Sequence, residues 1–270
     1  MSDWLYYTIL SLIQGLTEFL PISSSAHLAL FPLLSNHADQ GIAFDVAIHL
    51  GTIVAVMYYF RYKIKWMWYG FWRSVGRNPT TKPMGYYSKL AWFLILASIP
   101  VAIAGATLHN HIESIARSPI VIGYASIIFG ILLWVADAFS SKQPTLAKPT
   151  LKSTFVIGLF QVLAIIPGTS RSGITLTGGL FMGMSRKNAA TFSFLLAIPT
   201  ILMAGGYESL KLLGSTNTVA WPYFLLGFSI SSLTAFWCIH FFLKLINTVG
   251  ILPFVIYRIL LGLGLLIVFH

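Results

Sequence analysis

Gln14, Glu18, Ser23, Ser24, Ser25 and His27 lie on either side of Pro21, and Gly168, Ser170, Arg171, Ser172 and Thr175 follow Pro167. In a helix, side chains three or four apart share a face, which pairs Gln14 with Glu18, Ser23 or Ser24 with His27, and Arg171 with Thr175. A carboxylate, an imidazole and hydroxyls are the groups of acid–base and nucleophilic chemistry. An arginine holds phosphate with two parallel hydrogen bonds, and a helix that starts just after a break offers an anion its free amides and positive dipole end. Together these residue types point to phosphate chemistry. Taken singly, each has a plainer use: hydroxyls in apolar helices mostly bond a neighbouring turn or helix, and Glu18 with Arg171 could simply tie two segments together. The case rests on two matched sets, each beside a proline, and on ionisable groups inside apolar sequence, where they are costly and mark function by default.

The elements that must position these residues are read from composition. Of the 270 residues 57% are hydrophobic and 9% charged, against about 45–50% and about 25% in soluble domains. This excludes a soluble enzyme, a nucleic-acid-binding module and a disordered chain. Six stretches approach the roughly 20 apolar residues a membrane-crossing helix needs: 42–60, 90–107, 119–139, 189–206, 219–243 and 249–269. Two others, 4–34 and 154–184, are interrupted by Pro21 to Ser25 and by Pro167 to Gly173. Polar irregular backbone at membrane depth is tolerated only where protein buries it or it lines a cavity, so both regions read as re-entrant helical hairpins. If each hairpin returns to the side it entered from, the loops 61–89, 140–153, 185–188 and 244–248 share one side and carry 13 of the 17 Lys and Arg. That side is cytoplasmic by the positive-inside rule, and both termini face outward. The formal charge of +10 is then a topology signal, with no nucleic-acid partner implied. Arg117 and Lys211 fall on the outer side with Asp3, Asp39, Glu113 and Glu208, and the aromatic, basic piece Lys63 to Trp72 is expected along the cytoplasmic interface. Met1-Ser2-Asp3-Trp4 lacks the basic leader of a cleaved signal.

The expected fold is an all-α polytopic membrane protein, one domain over 1–270, with six transmembrane helices and two re-entrant hairpins. Hairpin plus three spans occurs twice, with halves of about 1–139 and 140–270. Phe44, Thr52 and Ile53 recur as Phe192, Thr200 and Ile201, 148 residues on. Three spans per unit require the second copy to be inverted, which brings broken helices together at the bilayer midplane. Asp45 and His49 share a face of the first span and are candidate neighbours of the site. Asp137 reads as interfacial, Arg258 falls mid-span with no partner legible, and His109 with His111 makes a poor metal site. The single cysteine, Cys238, allows no disulfide and reads as a packed or lipid-facing thiol.

Gln14-Gly-Leu-Thr-Glu18-Phe-Leu-Pro21-Ile-Ser-Ser-Ser-Ala-His27 and Pro167-Gly-Thr-Ser-Arg-Ser-Gly-Ile-Thr175 resemble the two signatures of the undecaprenyl-diphosphatase family, also called bacitracin-resistance proteins: E or Q, three residues, then E; and P-G-x-S-R-S-x-x-T. The S-R, five residues, H, three residues, D pattern of the other membrane lipid phosphatases is not met. The resemblance implies hydrolysis of undecaprenyl diphosphate to undecaprenyl phosphate and inorganic phosphate, recycling the carrier lipid for cell-wall peptidoglycan synthesis in the plasma (inner) membrane. On that reading Glu18, Ser24, His27 and Arg171 are catalytic, with Arg171 clamping the terminal phosphate. Gln14, Ser23, Ser25, Gly168, Ser170, Ser172 and Thr175 bind substrate. The nucleophile is Ser24, His27 or water, and Glu18 orients His27 or holds a cation. With Gln14 in place of an acid, a divalent cation such as Mg or Ca would find one strong ligand, Glu18, so dependence on it is expected to be weak. The expected partners are a polyprenyl diphosphate lipid and membrane lipids, with a homodimer allowed. The alternative is a polyprenyl-phosphate flippase or other secondary transporter, since inverted repeats with broken helices serve transport equally well.

Overall fold

The structure is a computed structural model of the whole chain. It describes residues 1–76, 82–115, 118–140, 146, 148–213 and 220–269, without the side chains at 82–84, 109–115 and 211–213. Arg117 therefore lies outside the described residues, as do the side chains of His109, His111, Glu113 and Lys211. The helices in chain order are α1 (Asp3–Thr17), α2 (Ser24–Ser35), α3 (Ile42–Tyr59), α4 (Arg61–Val75), α5 (Lys82–Ile115), α6 (Pro119–Ser140), α7 (Leu151–Val162), α8 (Arg171–Phe181), α9 (Arg186–Leu213), α10 (Trp221–Val249) and α11 (Leu252–Phe269).

Among the described residues, six stretches are helical, long and apolar enough to cross a membrane: Ile42–Tyr59, Gly85–Leu108, Pro119–Ser140, Arg186–Leu210, Trp221–Val249 and Leu252–Phe269. They are the six spans expected from the sequence, with ends displaced by a few residues. Large apolar side chains such as Leu260 (63% exposed) and Ile267 (81%) cover the outside, as suits a molecule whose solvent is hydrocarbon. The piece expected along the interface is the helix α4, which exposes Trp66, Trp68, Tyr69 and Trp72.

The two interrupted regions are helix–break–helix units. α1 stops at Thr17, and α2 starts at Ser24. In the second unit the helix gives out earlier than the proline suggests: α7 tightens into a 3₁₀ turn over Leu163–Ile165, and α8 begins at Arg171. The residue that caps each second leg is a serine with positive φ, Ser23 (73°) and Ser170 (68°), a conformation uncommon for any residue with a Cβ. Strained backbone of this kind persists only where the surroundings enforce it, and it concentrates at functional sites.

Packing brings the two breaks together. α1 lies against α10 and α7 against α5, while α3 meets α9 and α6 meets α11. In lipid, helices gain little from hydrophobic segregation, and close approach at small residues takes over. Gly51 of α3 packs so tightly on α10 that a Cβ there would overlap Ser231 and the Phe228 carbonyl. Beneath the first break, fully buried Phe19 meets Phe194 of α9 edge-on at 5.2 Å, and Phe194 in turn packs on Phe242 of α10 at 5.6 Å. Cys238 is the packed thiol expected, buried and donating to the Leu16 carbonyl at 3.1 Å. Asp137 is more than interfacial: it takes two hydrogen bonds from Arg186, at 2.6 and 2.8 Å.

Candidate active site

Glu18 sits at the C-terminal end of α1, where the chain leaves the helix, and is 7% exposed. Its Oε1 accepts from Arg171 at 3.1 Å, and its Oε2 accepts from Gln14 Nε2 at 3.0 Å and from the Ser24 hydroxyl at 2.6 Å. One carboxylate thus joins the first break to the second, and buried charge is tolerated there because it is paired and hydrogen-bonded. The 2.6 Å separation is at the short end for a hydroxyl donating to an ionised acceptor. Arg171 also donates to the Ser193 carbonyl at 3.4 Å, which leaves further donors of its fork for a ligand.

These groups open onto a polar cavity of about 210 Å³ lined by Glu18, Ser23, Ser24, Ser25, His49, Ala164, Ser170, Arg171, Thr200, Ile201 and Ala204. An apolar groove of about 480 Å³ adjoins it, sharing Thr200 and Ala204 and continuing along Val101, Ala102, Gly105 and Ala106 of α5 and Met203 and Tyr207 of α9. Ser23 makes no capping hydrogen bond, so the first turn of α2 is not capped by its own side chain. Ser170 does cap α8, accepting from the Gly173 amide at 3.1 Å.

Several expected site residues hold the frame. Ser172 donates to the Leu20 carbonyl at 2.8 Å, fastening one break to the other. Thr175, expected to meet substrate, is buried with its hydroxyl on the Arg171 carbonyl at 2.8 Å and paired with Ser193 Oγ at 2.7 Å; four residues along the helix, it reaches the turn that carries the arginine. Gly168 has φ +88°, and a Cβ would lie 2.6 Å from the Ile122 carbonyl oxygen, so only glycine fits. The expected Glu18–His27 pair does not form. His27 Nδ1 folds back onto the Ser23 carbonyl at 2.7 Å, four residues earlier, and Nε2 meets the Tyr257 hydroxyl at 2.6 Å with the rings stacked. The imidazole nearest Glu18 is His49, with Nε2 4.0 Å from Oε2.

Arg258, which had no partner legible in the sequence, is fully buried where the breaks meet. It donates to the carbonyls of Gly168 at 3.0 Å, Thr169 at 2.8 Å and Pro21 at 3.5 Å. These three carbonyls, drawn from both breaks, therefore share one side chain as donor, as backbone in lipid requires. Arg258→Met should strand these carbonyls, each at about 1–3 kcal/mol, and let the breaks drift apart. We expect a lowered thermal midpoint in detergent together with a rate loss of about 10²-fold, the scale of a 1 Å misplacement. A stable variant of full activity would show that the clamp is dispensable.

The donor set does not build a cage for a divalent cation. Glu18 already accepts three hydrogen bonds, and among the described residues no three His, Cys, Asp or Glu side chains come together. A cation of the Mg type, which favours a few carboxylates plus substrate phosphates, would draw its other ligands from those phosphates.

Residues 7–264 match the family model described as "Bacitracin resistance protein BacA". The chain is 48% identical over 270 residues to undecaprenyl-diphosphatase 2 of Stutzerimonas stutzeri, covering 99% of this chain and 98% of that protein. It is 50% identical over 259 residues to undecaprenyl-diphosphatase 1 of Pseudoalteromonas translucida (96% of each) and 51% identical over 263 residues to the undecaprenyl-diphosphatase of Saccharophagus degradans (97% of each). A match of this length, taking in both breaks and all six apolar spans, means that the chain belongs to the bacitracin resistance protein BacA family.

Proposed function

We propose that this protein is a multi-pass phosphatase of the plasma (inner) membrane that hydrolyses undecaprenyl diphosphate to undecaprenyl phosphate and inorganic phosphate, returning the carrier lipid to cell-wall synthesis. The observation that carries the proposal is the buried Ser24–Glu18–Arg171 cluster, where a hydroxyl, its proton acceptor and a phosphate-directed cation meet at the junction of two broken helices. The neighbouring apolar groove suits the first isoprene units of a lipid whose headgroup fills the polar cavity.

Ser24 attacks the terminal phosphorus while its proton passes to Glu18 Oε2. The bond between phosphorus and the bridging oxygen breaks, and undecaprenyl phosphate leaves with the electron pair. Glu18 passes that proton to the departing undecaprenyl phosphate or to solvent, then takes one from a water that attacks the phosphoserine, and returns it to the Ser24 oxygen as phosphate departs. Arg171 and the amides at the starts of α2 and α8 offset the charge on the phosphoryl oxygens throughout, the main task of a phosphoryl-transfer site. Gln14 holds the Glu18 carboxylate in place, and Ser23, Ser25 and Ser170 offer hydroxyls to the headgroup. His27 acts on the site through the Ser23 carbonyl it grips. A hydroxyl set against a carboxylate beside a phosphate-directed cation is the arrangement that hydrolysis needs, which favours it over transport.

In this reading both helix–break–helix units are re-entrant and the halves 1–139 and 140–270 form an inverted repeat. The reciprocal packing of α1 on α10 and α7 on α5 supports it. Both termini face outward. The groove follows the C-terminal parts of α5 and α9, remote from the basic loops that precede them, so the site faces the outer leaflet. Purified protein in detergent, where sidedness is lost, should release phosphate from undecaprenyl diphosphate; binding of the lipid without release would instead indicate a carrier.

A further inference from the structure

Among the described residues, the side chains lining the polar cavity carry no net charge unless His49 is protonated: Arg171 is matched by Glu18 at 3.1 Å, and neither a lysine nor a second arginine of those residues lines it. A diphosphate is multiply anionic near neutral pH. Among the described residues, His49 is also the one lining side chain that could add a positive charge. Its Nδ1 lies 2.7 Å from the Asp45 carbonyl oxygen; since that oxygen can only accept, Nδ1 keeps its proton in either charge state of the ring. The other nitrogen, Nε2, stands 4.0 Å from Glu18 Oε2, beyond hydrogen-bond reach, and the side chain is 32% exposed, at the cavity. His27 differs, because its Nε2 is already engaged by Tyr257.

We propose that His49 is a substrate-binding residue: as the imidazolium it donates from Nε2 to the diphosphate headgroup and supplies the positive charge that the Glu18–Arg171 pair leaves lacking. This rests on the phosphatase reading above.

The surroundings of His49 leave that role to it. α1 contributes Glu18, and α8 contributes Arg171 behind it. α9 presents Thr200, Ile201 and Ala204 to the cavity, with Tyr207 and Glu208 further out along the groove. From α10, none of Tyr223, Cys238, His240 and Lys244 lines the cavity. On α3 itself, the Asp45 carboxylate accepts from Gln40 at 2.8 Å. The basic side chains of α4 begin at Arg61, about 18 Å along the axis from His49 at 1.5 Å per residue.

The test measures KM and kcat for farnesyl diphosphate, and the inhibition constant of its non-hydrolysable methylenediphosphonate, for wild type, His49→Leu and His49→Gln. His49→Leu should raise KM and the inhibition constant about tenfold or more, the worth of one hydrogen bond to a charged group, with a smaller effect on kcat. A glutamine amide keeps a donor at this position without the charge, so His49→Gln should bind the analogue more weakly than wild type and more tightly than His49→Leu. Should His49→Leu fail to fold, this comparison carries the test alone. Unchanged constants in His49→Leu, a loss confined to kcat, or a His49→Gln protein that binds the analogue as tightly as wild type would overturn the proposal. Wild-type protein that binds the analogue but releases no phosphate would overturn the phosphatase reading, while the binding comparison would still decide the role of His49.

Discussion

Arg171→Ala should lower the rate constant for phosphate release by about 10³-fold or more, the range over which a single arginine acts on a transferring phosphoryl group. Among the described residues the guanidinium is the one fixed cation in the cavity, and its loss removes both the clamp on the terminal phosphate and the partner of Glu18. That second loss complicates the measurement, because a buried carboxylate left without its cation destabilises by about 3–5 kcal/mol. The double variant Arg171→Ala with Glu18→Gln removes the stranded charge and should recover thermal stability without recovering turnover. Arg171→Lys should recover only part of the rate, since a point charge cannot reproduce the planar fork. Activity near wild type in a folded Arg171→Ala protein would remove the arginine from the mechanism.

Ser24→Ala should be as severe, at least about 10³-fold in kcat, because members of a nucleophile–base pair act as a unit. Little stability is at stake: the Ser24 hydroxyl is one of three donors to Glu18, and Gln14 and Arg171 remain. The effect should therefore appear in kcat with the melting behaviour almost unaltered. Glu18→Gln should cost about 10²–10⁴-fold, the range of a general base. If Ser24→Ala stays within about tenfold of wild type, water attacks phosphorus directly and the serine only positions it.

The composition and hydropathy of the sequence account for most of the architecture. Spans of 18 to 29 residues follow directly from apolar runs, and the breaks from proline beside polar clusters. The start of the second break, a 3₁₀ turn at Leu163–Ile165, was hidden because that stretch remains apolar and only the backbone tightens. Within the site, Glu18 and Arg171 were legible because a charge inside apolar sequence needs a reason, and Ser24 because it belongs to the polar cluster that interrupts the first apolar region. The four-residue spacing that groups Thr175 and His27 with the site brings each side chain onto the backbone of its expected neighbour, Arg171 and Ser23: on a helix it returns a side chain to the preceding turn as readily as it aims it at a ligand. The partners of Arg258 are backbone carbonyls more than 80 residues away, and no side-chain pattern announces a carbonyl. Tyr257 beside it was missed for a related reason, since an isolated tyrosine in an apolar span looks like any other aromatic residue.

The most direct test of the account is a rapid-quench experiment on purified protein with undecaprenyl diphosphate labelled in its terminal phosphate. The account predicts a transient covalent label that maps to Ser24, followed by free labelled phosphate, with both absent in Ser24→Ala. Label on His27, or phosphate release by Ser24→Ala at the wild-type rate, would contradict it.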